Sequence, residues 1–186
     1  MAMCEYCKRV CDLPEWARKA TAKEELYCES FSPAFIPTIS MAYTSPSWVS
    51  CNKTVTRRNW KPITIKKFHK GTKFIAKRSN YGGQALGVGE ITREVYRENT
   101  EVMGHNDYIA EGFRYMDNEL GVIPNANTIY ETGFPLLDAF TRWKQRAEIM
   151  IVVPFKIIEV FPGMEDKYTT PEEIKRCVKA LQKAIG

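Results

Sequence analysis

The stretch from Ala85 to Tyr96 reads as a β-strand but carries glycines at 87 and 89. Glycine inside a strand marks a bulge, a sharp bend or a close backbone approach, the devices by which a sheet curls into a small barrel. A second irregularity lies further along. Ile149-Met-Ile-Val-Val153 and Phe155-Lys-Ile-Ile158 form a final buried strand, with Pro154 marking an edge or bulge. Gly71 to Lys77 alternates and predicts another strand, joined to the glycine-bearing one through the turn Tyr81-Gly-Gly83. Thr38 to Tyr43 predicts one more, and Pro46 to Cys51 a short helical turn.

Helices surround this frame. Asp107 to Tyr115 predicts a short helix, and 117–133 a loop rich in Gly, Pro and Asn. Leu136, Leu137, Phe140 and Trp143 share one helical face. Thr170-Pro-Glu-Glu173 is a capping box, and Ile174, Cys177, Val178, Leu181 and Ile185 make an apolar stripe that must pack on something. The expected fold is α+β: a small β-barrel over 36–160, a helical extension over 1–35 and a C-terminal helix over 161–186. At 186 residues and 44% hydrophobic, the chain can bury such a core. No run approaches the ~20 apolar residues of a membrane span. The N-terminus lacks the layout of a secretory signal, so a cytoplasmic protein with no membrane partner is expected.

Charge is segregated. From Ser30 to Gly89 there is no Asp or Glu, and ten of the 27 Lys and Arg fall between Lys53 and Arg78. Such a segment attracts polyanions, and aromatic residues are interleaved with it. Lys53, Arg57, Arg58, Trp60, Lys77, Arg78 and Tyr81 are therefore candidate ligand contacts, with RNA, single-stranded nucleic acid or a nucleoside as the partner. A solvated basic face is the alternative. Cys4, Cys7, Cys11 and Cys28 could offer four thiolates to zinc, but no second C-x2-C follows the first. Reduced cysteines, no metal and no cofactor are expected. His69 and His105 stand alone.

Three pieces of sequence occur in a telling order: Lys53-Thr-Val-Thr-Arg-Arg-Asn-Trp60, the strands joined at Tyr81-Gly-Gly83, and Asp107-Tyr-Ile-Ala-Glu-Gly-Phe113. This pattern resembles the ASCH domain family, whose members share a PUA-like β-barrel, over about residues 36–160. The resemblance implies a cleft at the barrel mouth suited to a base or nucleotide. Small bacterial ASCH proteins include an N4-acetylcytidine amidohydrolase with a catalytic Lys, Thr and Glu. Those roles would fall on Lys53, Thr56 and Glu111. That hydrolase is shorter and lacks the cysteine segment and the C-terminal helix.

The chemistry is coherent. Residues two apart on a strand share a face, so Lys53 can join Thr56 only from just before the strand. An ammonium there would ease formation of a Thr56 alkoxide, and Glu111 could carry the proton to a leaving amine. Plainer roles also fit: Lys53 as a phosphate contact, Thr56 as a β-former, Glu111 as an ion-pair partner of Arg57 or Arg58.

Overall fold

A computed structural model describes residues 36–79, 83–121 and 132–186. The described residues from Ile39 to Gly186 belong to one compact unit. The expected helical extension over 1–35 lies outside the described residues, as do Tyr81 and the middle of the loop after Leu120.

Six strands form one sheet: β1 (Thr38–Ser40), β2 (Val55–Arg58), β3 (Lys73–Lys77), β4 (Ala85–Ile91), β5 (Tyr96–Asn99) and β6 (Ile149–Val160). The order is β1-β3-β4-β6-β2, with β5 also on β6. The twelve-residue β6 organises the sheet. Its first half pairs antiparallel with both β2 (Val55↔Pro154 to Arg58↔Ile151) and β5. Its second half pairs with β4, from Ile91↔Phe155 to Gly87↔Val160. Pro154 stands where the partner changes, a place where a missing N–H is tolerated. The result is a strongly curled half-barrel, and among the described residues no pairing joins β1 to β2.

The single long strand expected over 85–96 is two strands. It breaks after Ile91 because β4 and β5 serve opposite halves of β6. The register shifts between Val88 and Gly89, as the glycines led one to expect. A Cβ on Gly87 would stand 2.8 Å from the Trp48 ring, and one on Gly89 would stand 2.3 Å from that of Phe74. Both aromatics are fully buried, so the barrel core packs directly on backbone.

Seven α-helices are described: α1 (Ser45–Val49), α2 (Pro62–Ile65), α3 (His105–Ala110), α4 (Phe113–Leu120), α5 (Pro135–Gln145), α6 (Met164–Tyr168) and α7 (Pro171–Ile185). The helix expected over 107–115 is two, broken at Gly112 (φ +80°), and the second runs through residues first read as loop. Every residue of the α7 stripe is buried, and the Thr170 side chain caps it by accepting from Glu173 N. Two apolar cores result. One fills the half-barrel around Trp48, Phe74, Leu86 and Phe155. The other binds α3, α4, α5 and α7 around Tyr108, Met116, Leu136, Trp143 and Leu181. No described helix is long and apolar enough to cross a membrane.

Candidate functional site

Lys53 lies two residues ahead of β2, where Thr54 N donates to the Ala110 carbonyl and ties this approach to the end of α3. That backbone bond brings Lys53 to the α3–α4 junction, whose C-terminal residue is Glu111. The junction is fixed from the other side by Gly112. Its left-handed backbone turns the chain, its carbonyl accepts from Ser47 Oγ at 2.6 Å, and a Cβ would lie 2.3 Å from that of Ser47.

Lys53 is 1% exposed and Glu111 3%. Lys53 Nζ donates to Glu111 Oε2 at 2.7 Å and to the Glu111 carbonyl at 2.8 Å. The second carboxylate oxygen, Oε1, accepts from Arg57 Nη1 at 3.1 Å. Arg57 is also held by Glu98 Oε2 at 2.6 Å and Asp107 Oδ1 at 2.5 Å. Asp107 Oδ2 in turn accepts from Gly104 N and caps α3. Burial drives the Lys53 ammonium down to about 8, although Glu111 works in the opposite direction. Burial also acts against the Arg57 charge, but Glu111, Glu98 and Asp107 outweigh it and its pKa is raised.

A cavity of about 410 Å³ opens over these groups. Lys53, Thr56, Arg57, Arg58 and Glu111 line it. So do Phe113 and Trp143 from the helical core, with Leu181 and Ile185 of α7. Trp143 Nε1 donates to Glu148 Oε2 at 3.0 Å, which fixes the indole. The three residues that the family resemblance singles out thus meet at one cavity. Thr56 is buried and makes no side-chain hydrogen bond among the described residues.

Other candidates lie elsewhere. Trp60 stacks on Phe68, with centroids 4.5 Å apart, against the barrel core. Arg78 is tied to Glu173 of α7 at 2.6 Å and to the Ala42 carbonyl at 2.8 Å, and its guanidinium covers Tyr168. Lys77 ends β3 beside it, and neither lines the cavity. Cys4, Cys7, Cys11 and Cys28 lie outside the described residues. Among the described residues no group of His, Cys, Asp and Glu could hold a metal; Cys51 is exposed and Cys177 buried. Sequence reasoning missed Trp143, Arg146, Glu148 and the α7 residues as cavity walls. The α7 stripe announced packing, but nothing in it announced a site.

No family model and no curated protein matches the sequence. Two solved structures are similar to it. One is a protein of Enterococcus faecalis V583 of family DUF984, 15% identical, with a TM-score of 0.43 over 79% of this chain and 92% of that one. The other is a point mutant of ZmASCH from Zymomonas mobilis, 11% identical, with a TM-score of 0.38 over 77% of this chain and 96% of that one. At these values they decide nothing about activity, which rests on the site alone.

Proposed function

We propose that this chain is an ASCH-type domain that holds one nucleobase-bearing unit, a nucleoside or a single nucleotide of a strand, in the cavity above Lys53 and Glu111. The observation that carries this reading is the cavity's mixed lining. Aromatic and aliphatic side chains from the helical core border it together with buried, hydrogen-bonded charge. A base asks for that combination: a flat apolar face to stack on and fixed donors and acceptors at its edge. A volume of about 410 Å³ sits near the lower end of the ~300–1,000 Å³ range of small-molecule sites and suits one such unit, not a duplex.

Calorimetric titration with the common nucleosides and their monophosphates tests it. One of them is expected to bind with a stoichiometry near one, and Leu181→Trp, which fills the cavity, to abolish the heat. Absence of binding by every nucleoside and nucleotide would remove the reading.

A second reading, hydrolysis of an N-acylated nucleoside such as N4-acetylcytidine, draws support from the lowered Lys53 pKa beside Thr56. As the neutral amine, Lys53 would take the Thr56 hydroxyl proton while Oγ1 attacks the acyl carbon. The same proton would pass to the departing exocyclic amine, and water would then release the acid from the acyl-threonine. Glu111 would hold the Lys53 amine in place through its carboxylate and carbonyl. Turnover would rise with pH through about 8, as Lys53 loses its proton. Incubation with N4-acetylcytidine and chromatography of the products separates the readings. Binding without release of cytidine is expected. Turnover that vanishes in Thr56→Val would transfer the assignment to catalysis.

A further inference from the structure

The cations around the cavity are not equally neutralised. Lys53 has Glu111, Arg57 has three carboxylates, and Arg146 has Glu148 at 3.1 Å. Arg58 has no carboxylate within ion-pair distance among the described residues. Its Nη2 donates to the Ser40 carbonyl, and its Nε is shut away from solvent without a partner. The nearest source of negative field, Glu111, already divides its two oxygens between Lys53 and Arg57. Burial accordingly pulls the Arg58 pKa down, with Glu111 only partly opposing it. A guanidinium nevertheless keeps its proton in a protein. Arg78 provides a contrast: its Nε is likewise buried and unpartnered, but Glu173 neutralises it and it stands away from the cavity. Arg58 as a whole is half-buried, but its Nε is sealed from solvent, and a cation desolvated in part without a counter-charge is unfavourable.

We propose that Arg58 is an anion-binding residue of the cavity and that the ligand carries an oxyanion, a phosphate monoester, which supplies the missing counter-charge. Arg58 lines the cavity, and its N–H groups beyond the one on Ser40 have no acceptor among the described residues. A planar donor fork of this kind matches two phosphate oxygens at once. The proposal deepens the base-binding reading and rests on it only for the rest of the ligand. A nucleotide is thereby preferred over a free nucleoside.

The test titrates the full chain with inorganic phosphate, cytidine and cytidine 5′-monophosphate, using wild type, Arg58→Gln and Arg58→Lys. The wild type is expected to bind the monophosphate about tenfold more tightly than cytidine, the worth of one charge-assisted hydrogen bond. Arg58→Gln should erase that advantage, and Arg58→Lys should keep part of it. Without ligand, Arg58→Gln should melt at or above the wild type, because an uncompensated, partly desolvated charge has gone. Equal binding of monophosphate and cytidine by the wild type, or an advantage that survives Arg58→Gln, overturns the anion site while the base reading stands. Arg58-dependent binding of phosphate with no response to cytidine supports the anion site and removes the base reading. A ligand-free Arg58→Gln that melts below the wild type overturns the proposal, since Arg58 would then be a structural tie to Ser40.

Discussion

Replacing Glu111 with Gln removes the one carboxylate that bridges Lys53 and Arg57, and the effect should depend on pH in a way that identifies its cause. Arg57 keeps Glu98 and Asp107 at 2.6 and 2.5 Å, so the loss falls on Lys53. Lys53 sits at about 8 instead of 10.5 because burial opposes its charge, and Glu111 is what keeps it from falling further. Without Glu111 its folded pKa drops below 8. In both proteins the folded value lies below the unfolded one, so between them the unfolded chain binds the extra proton. Stability from this group therefore rises with pH up to about 10.5. In the wild type that rise begins near pH 8; in the variant it begins lower.

Above roughly pH 9 both proteins hold a neutral amine and differ by a hydrogen bond, ~1 kcal/mol. Below pH 8 the variant falls behind by about 1.4 kcal/mol per pH unit until its own Lys53 titrates. At pH 6.5 the deficit should reach about 3 kcal/mol, at the low end of the ~3–5 kcal/mol typical of a broken buried pair. For a domain of this size that is a fall in Tm of about 6–12 °C. Scanning calorimetry of wild type and Glu111→Gln at pH 6.5, 7.5 and 9 measures it. A deficit that stays constant across this range would refute the assignment of the cost to Lys53.

Asp117 is fully buried and accepts from Tyr108 Oη at 2.6 Å and from Leu136 N and Leu137 N at 3.0 and 2.9 Å, so it holds the start of α5 to α3. Asp117→Ala should cost about 3 kcal/mol in urea unfolding by orphaning these donors, and should speed amide exchange at Leu136 and Leu137 first. Gly112→Ala imposes a left-handed backbone on alanine and drives its Cβ into Ser47; a loss of at least ~2 kcal/mol is expected, together with loss of nucleoside binding, read by thermal melting and calorimetry. Of the ten basic residues between 53 and 78, Lys61, Lys66, Lys67 and Lys70 are the exposed ones. Single-stranded oligonucleotide binding should therefore show a slope of log K against log salt near −3, from about −0.7 for each of four phosphates. A flat titration would exclude these lysines from contact.

The segments that the sequence made legible are those whose signal is local. The β4 glycines, the α7 stripe with its Thr170 cap, and the α1 turn each depend on residues a few positions apart, and each stands where expected. The alternation rule also required Lys53 to precede β2 if it was to meet Thr56, and it does. What the sequence could not decide was the fate of its charge. Ten cations in one acid-free segment read as a site for polyanions or, alternatively, as a solvated face. Two of them, Lys53 and Arg57, are instead drawn into ion pairs at the cavity, because acidic residues 41 to 58 positions away, at Glu98, Asp107 and Glu111, are carried onto β2 when β5 pairs with β6 and α3 docks at its end. The cavity walls from α5 and α7 were hidden for the same reason. Whether an apolar stripe ends in a sealed core or borders an opening depends on how closely distant elements meet, and only the tertiary packing sets that gap.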